Sequence, residues 1–218
     1  MSKATPRREQ ERQQHIKHIL DVAESIFAEQ GFFQATMRRI AQKAEFALGT
    51  IYSRFGSKRQ LYEKVIETKV EELVNFVTKE TFDAQSAQDK VERFIHAKMT
   101  FFRKNLSFFR LYLAEVDVPR PDVQHILPKK IREKYDSMLS DLTGVIWQGI
   151  QQGVLKPMDA RVAAKALDGL TNTLAFSRLG EEEAPSPIED DINIVTELFL
   201  YGAAVQQEST QNQDNRGN

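Results

Sequence analysis

Between residues 47 and 55 the sequence alternates apolar and small polar side chains at the spacing of a short helix. At 100° per residue the apolar side chains share an inward face, which comprises Ala47, Leu48, Ile51 and Phe55. Gly49, Thr50 and Ser53 lie on the opposite face, flanked by Tyr52 and Arg54. A helix edge this slim and polar can approach base edges in the major groove of duplex DNA. The pattern predicts base contacts from the small residues and sugar-phosphate contacts from Tyr52 and Arg54, with a guanine edge as the alternative target of Arg54.

Three further side chains are placed where the backbone of a bound duplex would pass. Thr36 offers a hydroxyl and the amides of a helix N-terminus to a phosphate. Arg38 follows at the predicted edge of the groove, and Lys58 begins the next helix, where it can donate to a phosphate. The candidate DNA-binding residues are Thr36, Arg38, Gly49, Thr50, Tyr52, Ser53, Arg54 and Lys58.

Four predicted helices position these side chains, with bounds of 11–30, 37–44, 48–55 and 58–79. Gly31 follows the first helix, where a left-handed residue usually ends the element. Thr36 and Ser57 are natural N-caps of the second and fourth helices. Two short helices joined by a tight turn, the second of them exposed, form a helix-turn-helix, whose second helix enters the major groove.

Helical periodicity continues beyond residue 80, and no stretch shows the strict alternation of a half-buried strand. The predicted helices of this region are 87–104, 107–116, 129–152, 160–179 and 188–205, and Asp159 caps the fourth of them. We therefore expect an all-α fold, with an N-terminal three-helix helix-turn-helix DNA-binding domain followed by a C-terminal helical domain.

The 218-residue chain is nearly neutral, with 30 Lys+Arg and 31 Asp+Glu, but its charge is unevenly distributed. Residues 1–60 contain 11 basic and 6 acidic residues, whereas the remainder contains 19 basic and 25 acidic ones. A basic segment joined to an acidic body is typical of a polyanion-binding module attached to another domain. Such unevenness also arises by chance, and the helix-turn-helix pattern decides between the two interpretations.

The residue types present exclude several classes of protein. The chain has no cysteine, which excludes disulfides, Cys-ligated zinc and thiol catalysis. No apolar run approaches the roughly 20 residues that span a bilayer, and the polar N-terminus does not resemble a signal or transit peptide, so we expect a cytoplasmic protein without membrane contact. The sequence contains no Gly-rich phosphate loop, nucleophile elbow or metal-spaced His/Glu set. We expect no catalytic residue, no metal and no cofactor, and therefore no enzyme.

Residues 36–44, 49–55 and 57–58 together resemble the DNA-binding domain of the TetR (tetracycline repressor) family. The runs that carry the resemblance are Thr-Met-Arg-Arg-Ile-Ala-Gln-Lys-Ala, Gly-Thr-Ile-Tyr-Ser-Arg-Phe and Ser-Lys. The resemblance is strong to about residue 66 and looser over the rest of the chain. Where the family has Gly-Val-Ser in the turn, this chain has Glu45, Phe46 and Ala47. Glu45 at this positive-φ position should cost on the order of 1 kcal/mol, or the turn should adopt another geometry. Ala47 lacks the hydroxyl that caps the recognition helix.

The resemblance implies a homodimeric transcriptional regulator, usually a repressor, that binds a palindromic operator and is released by a small-molecule inducer. Family dimers are usually built from the last two helices, which here carry more apolar residues than one buried stripe needs. The implied interface residues are Leu167, Leu170, Leu174, Val195, Leu198 and Phe199. Packing within one chain is the alternative explanation of these residues.

The family also implies an inducer pocket among the helices between residues 87 and 179. Aromatic residues at helical spacing are more often plain core than ligand site, but polar residues in the otherwise apolar helix 160–179 could orient a ligand. The candidate ligand-binding residues are Phe102, Phe109, Tyr112, Trp147, Asn172 and Phe176. They predict a hydrophobic or aromatic inducer of modest polarity.

The chain thus divides into four predicted segments. A flexible basic arm, 1–14, either enters the minor groove or stays solvated, and a helix-turn-helix DNA-binding domain spans 15–60. A helical ligand-binding and dimerisation domain spans 61–205, and a disordered tail spans 206–218. Two alternatives stay open: a DNA-architectural or division-site protein without an inducer, and, less favoured, a helical enzyme.

Overall fold

The computed structural model describes residues 6–114, 129–180 and 187–202. The helices in these residues are α1 (Pro6–Gln34), α2 (Met37–Lys43), α3 (Leu48–Phe55), α4 (Lys58–Phe82), α5 (Ala87–Lys104), α6 (Leu106–Ala114), α7 (Lys129–Gln151), α8 (Ala160–Ser177) and α9 (Ile188–Thr196). A π-helical turn, Glu197–Tyr201, continues α9. The all-α fold is confirmed, and none of the described helices is long and apolar enough to cross a membrane. The predicted tail 206–218 lies outside the described residues.

Helix α1 begins at Pro6 rather than at Glu11, so most of the predicted flexible arm 1–14 is helical. Proline is favoured at a first helical position, and side-chain pairs one turn apart support the segment. Arg7 donates to Glu11 at 3.1 Å, and Gln13 donates to Glu9 at 2.8 Å. The basic residues alone predict an arm, but their pairing with Glu9 and Glu11 favours a helix instead.

The first three helices form a small head around a shared apolar core. Ile19, Ala23, Ile26 and Phe27 of α1 are buried, and α1 contacts α2, which in turn contacts α3. Gly31, with φ 74° and ψ 164°, kinks α1 at the predicted helix end. The predicted caps are also confirmed, because Thr36 accepts from the Arg39 amide and Ser57 accepts from the Gln60 amide, each at 3.2 Å.

The turn between α2 and α3 is closed as a Schellman motif with Glu45 in its left-handed position. The Phe46 amide donates to the Ala41 carbonyl at 3.0 Å, and the Glu45 amide donates to the Gln42 carbonyl at 3.2 Å. Glu45 has φ 60°, so the residue that replaces glycine does adopt the unfavourable conformation. Ala47 caps α3 without a side-chain hydrogen bond. It is exposed, so its predicted inward position was wrong, since it precedes the first helical turn.

Phe46 anchors this turn to α1. Its half-buried ring lies 5.3 Å from the His15 ring and 6.4 Å from the His18 ring, centroid to centroid. Packing of the three rings stabilises a turn that has Glu45 instead of glycine at its left-handed position and no side-chain hydroxyl to cap α3.

The remaining helices form a larger body, to which α4 belongs as well. Helix α4 contacts α1 in the head and both α5 and α7 in the body, while α5 also contacts α8 and α9. Asp159 caps α8 by accepting hydrogen bonds from the amides of Arg161 and Val162, as predicted. Helices α7 and α8 pack together, and α6 packs against α1. Contacts through α4 and α6 therefore join the head to the body.

The caps of α2 and α3 give a matched pair of stability changes. Replacing an N-cap hydroxyl by alanine costs typically about 1 kcal/mol. We expect Thr36→Ala to lower the free energy of unfolding by about this amount and Ala47→Ser to raise it by a similar amount, as measured by urea denaturation. Equal stabilities for Ala47→Ser and the wild type would show that α3 does not lack a cap.

Candidate functional site

The outward face of α3 is exposed and small. Gly49, Ser53 and Arg54 are exposed, Thr50 is half-buried, and Tyr52 is 47% exposed. The backbone of Gly49 is helical, and a Cβ at this position would meet nothing within 4 Å. The fold itself therefore does not require glycine here, and its effect is to leave the helix backbone open to an approaching molecule.

The N-terminal end of α2 is a second exposed polar part of the helix-turn-helix. Thr36 is exposed, although its hydroxyl oxygen already accepts from the Arg39 amide. Arg38 is exposed and makes no hydrogen bond or ion pair with any residue that the structure describes. Its guanidinium is thus available to a phosphate or a base edge, as the sequence predicts.

Lys58 has a different environment from the one predicted. Its ammonium donates to the carbonyl oxygens of Phe32, Phe33 and Ala35 at 2.7, 3.2 and 3.0 Å, and it lies 4.5 Å from the centroid of the Phe32 ring. An ammonium has three donors, and three carbonyls at the end of α1 occupy them all. In this conformation Lys58 joins α1 to α4 instead of facing a phosphate.

Lys69 makes a second connection between α1, α4 and the start of α6. It donates to Glu24 of α1 at 3.0 Å, pairs with Glu72 at 3.1 Å and donates to Asn105 at 3.3 Å. Burial opposes its charge, but the hydrogen bonds and charges of Glu24 and Glu72 outweigh burial and raise the pKa of Lys69. The head and the body are therefore joined by a charged, partly buried contact.

Inside the body, α4, α5, α6, α7 and α8 enclose an apolar cavity. Its lining comprises Val70, Leu73, Phe102, Phe108, Phe109, Tyr135, Asn172 and Phe176. The cavity measures about 20 Å³, room for roughly one water molecule. Phe102 and Phe109 lie 4.2 Å apart between ring centroids, and Phe176 lies 5.8 Å from Phe102. The aromatic side chains thus fill most of the space between the five helices.

A polar cluster that the sequence did not predict adjoins this cavity. The Lys98 ammonium, fully buried, pairs with the Asp168 carboxylate. The Tyr135 hydroxyl donates to Oδ1 of Asp168 at 2.8 Å, and the Asn172 amide donates to Oδ2 at 3.2 Å. Burial lowers the pKa of Lys98, and the charge and hydrogen bond of Asp168 oppose that shift. The signal was a lysine within the apolar register of α5, because a charge at a core position requires a buried partner.

The predicted ligand-binding residues divide into three groups. Phe102, Phe109, Asn172 and Phe176 line the cavity. Tyr112 belongs to α6, but its side chain lies outside the described residues. Trp147 is 59% exposed, so its placement in the pocket was wrong. It lies two residues beyond the buried Val145, about 200° around α7, and therefore faces away from the core.

The predicted interface residues also divide by burial. Leu167, Val195 and Phe199 are buried within the chain, which contradicts their assignment to a surface between chains. Leu170 and Leu174 are half-buried, and Leu198 is 61% exposed. Apolar periodicity predicted that both helices form and carry apolar faces, but it could not show which of their residues are buried in the core of the same chain. The exposed apolar residues of α8, α9 and the following turn are Val162, Ile194, Leu198 and Tyr201.

A head with an exposed helix-turn-helix and a separate helical body with an internal cavity defines a class of DNA-binding regulator. Residues 19–65 match the family described as "Bacterial regulatory proteins, tetR family". These residues therefore form a DNA-binding domain of the TetR family, as the sequence predicts, and the chain as a whole has the fold of TetR-family regulators.

Similar proteins agree with this membership. The uncharacterized HTH-type transcriptional regulator YhgD of Bacillus subtilis (strain 168) is 25% identical over 184 residues, which cover 84% of this chain and 93% of that protein. The fatty acid metabolism regulator protein of the same organism is 26% identical over 154 residues, which cover 69% of this chain and 76% of that protein. The crystal structure of PfmR, a TetR family transcriptional regulator from Thermus thermophilus, superposes with a TM-score of 0.67 at 22% identity. The superposition covers 84% of this chain and 97% of PfmR. Such regulators are not enzymes, which confirms that expectation.

The geometry of Lys58 leads to a test of its role in DNA binding. A lysine that neutralises a phosphate contributes about −0.9 to the slope of log affinity against log salt, so its removal reduces the magnitude of that slope by about 0.9. We expect Lys58→Met to lower the melting temperature and the affinity for duplex DNA while leaving this slope unchanged. Arg59→Gln, at the neighbouring exposed position, is the control for loss of one charge. A slope reduced by about 0.9 with an unchanged melting temperature would make Lys58 a phosphate ligand.

Proposed function

We propose that this regulator is a repressor that binds a palindromic operator as a homodimer and is released by a small apolar inducer. The open face of α3 around Gly49 is the observation that carries the DNA-binding part. Two-fold symmetry would place two copies of α3 in successive major grooves, about 34 Å apart. We propose that the contacts to DNA come from Thr36, Arg38, Gly49, Thr50, Tyr52, Ser53 and Arg54.

The homodimer is supported by apolar surface that the chain leaves uncovered. Val162 of α8 is 63% exposed, and Leu198 and Tyr201, which follow α9, are 61% and 74% exposed. Soluble proteins rarely expose several large apolar side chains together unless another molecule covers them. Since α8 and α9 pack against each other, we propose that the same two helices of a second copy cover this surface.

The inducer response is supported by the position of the cavity against α4. Val70 and Leu73 of α4 line it, and the same helix begins at Lys58, beside the head. A ligand larger than the closed cavity would have to displace the aromatic side chains and α4. Such a ligand would favour a spacing of the two heads that does not fit the operator, and so release DNA.

The apolar lining also indicates the class of inducer. The similar fatty acid metabolism regulator of Bacillus subtilis supports a molecule with an alkyl chain, and the phenylalanine lining suits an alkyl or aryl group equally. A regulator of this kind acts on chromosomal DNA, so we propose that it works in the cytoplasm.

The proposed role of α3 is tested by adding one methyl group. A Cβ at position 49 meets no atom of the protein, but it would project toward the bases. The duplex for this test is the one that the wild-type protein selects from a pool of random oligonucleotides. We expect Gly49→Ala to leave the melting temperature unchanged or higher and to weaken binding to this duplex at least tenfold. Gly144→Ala, at an exposed position in α7 with equal space, should leave DNA affinity unchanged.

Normal DNA affinity of Gly49→Ala would show that α3 does not read the major groove. The genomic positions of the selected sequence test the regulatory role. A few palindromic sites near promoters are expected, whereas many scattered sites would indicate an architectural protein.

The dimer is tested by placing a charge in the exposed apolar surface. We expect the wild type to sediment as a dimer and Leu198→Glu to sediment as a monomer, because a buried carboxylate without a partner is unfavourable. The monomer should lose most of its operator affinity, since only one α3 remains. Gln151→Glu, at an exposed position in α7, is the control. A dimeric Leu198→Glu variant would place the interface elsewhere.

A further inference from the structure

The Lys98–Asp168 cluster forms part of the wall of the cavity and is electrically neutral. Tyr135 and Asn172 belong both to the cluster and to the cavity lining. The Lys98 ammonium also lies 5.8 Å from the centroid of the Phe102 ring, another lining residue. One cation and one anion are therefore held at the edge of an apolar space, with their charges compensated by each other.

The polar atoms of this cluster are already engaged with one another. The Lys98 ammonium has three acceptors in reach: Oδ1 of Asp168, the Asp168 backbone carbonyl at 3.1 Å and the Tyr135 hydroxyl at 3.4 Å. Both carboxylate oxygens of Asp168 accept hydrogen bonds, from Lys98, Tyr135 and Asn172. An entering charged group would have to break these bonds before it could form its own.

We propose that the Lys98–Asp168 pair determines ligand specificity by admitting only inducers whose buried end is uncharged, such as alkyl or aryl esters, and by rejecting carboxylates and amines. This inference rests on the proposed function of the cavity as the inducer site. A third charge beside a neutral buried pair is left uncompensated in an apolar environment, which is strongly unfavourable. An uncharged end adds no such penalty and needs only contact with the phenylalanine side chains.

Three probes of equal chain length test the proposal at pH 7: methyl decanoate, decanoate and decylammonium. Calorimetry on the full-length wild type should show methyl decanoate binding at least tenfold more tightly than either ion. Comparable affinity for methyl decanoate and decanoate would overturn the specificity role. Absence of binding by all three would instead contradict the apolar inducer site itself, and this inference with it.

Variants of the pair should change the charge preference in opposite directions. Asp168→Asn leaves the cation of Lys98 without its partner, so we expect decanoate affinity to rise at least tenfold. Lys98→Met leaves the anion of Asp168, so decylammonium affinity should rise instead. The double variant Lys98→Met/Asp168→Asn is neutral again and should prefer the ester, as the wild type does.

The double variant also keeps the test decisive if a single variant does not fold, since it carries no unpaired buried charge. Its melting temperature is measured alongside its affinities. A double variant that folds and binds decanoate as well as methyl decanoate would show that the cavity rejects carboxylates for a reason other than this pair. Single variants that fold with wild-type preferences would overturn the proposal in the same way.

Discussion

Helix α4 is continuous from the head to the body, and this continuity constrains the rest of the molecule. Its first turn is fixed to the end of α1 by Lys58, and its middle is fixed to α1 and the start of α6 through Lys69. Val70 and Leu73, on the same turns, form part of the cavity wall. One continuous helix of 25 residues therefore links the side chains around the cavity to the head.

The helix-turn-helix of the head contains two locally unfavourable features, both in the turn that leads into α3. Glu45 adopts a left-handed conformation, and α3 lacks a side-chain cap. Contacts from outside the turn compensate for them: Ile51 is buried in the head core, and Phe46 packs on the histidine side chains of α1. The position of the recognition helix therefore depends on tertiary packing against α1 more than on the turn's own sequence, which links it to the helix that Lys58 and Lys69 hold.

Local rules predicted much of the fold, and tertiary contacts explain where they failed. Thr36, Ser57 and Asp159 were predicted as caps because a cap depends on a few consecutive residues. Trp147 and Leu167 were misplaced because periodicity reports an apolar face without showing which neighbour covers it. The three carbonyls around Lys58 and the pairing of Lys98 with Asp168 join residues far apart in sequence, so only the folded chain reveals them. For Glu45 the sequence left two outcomes open, a strained left-handed residue or another turn geometry, and the structure shows the first.

The closed state of the cavity bears on how a regulator of this construction can respond to a ligand. A pocket of the same shape in both orientations of the heads would bind its ligand equally well in both, and equal affinity shifts no equilibrium. Here the aromatic side chains of Phe102, Phe109 and Phe176 occupy the space, so the proposed inducer would need an opened arrangement of the body. If that arrangement differs at α4, the affinity difference between the two states becomes the coupling free energy to DNA. Because α4 forms part of the cavity wall and begins beside the head, opening of the cavity at α4 is the step that would couple inducer binding to DNA release in the proposed mechanism.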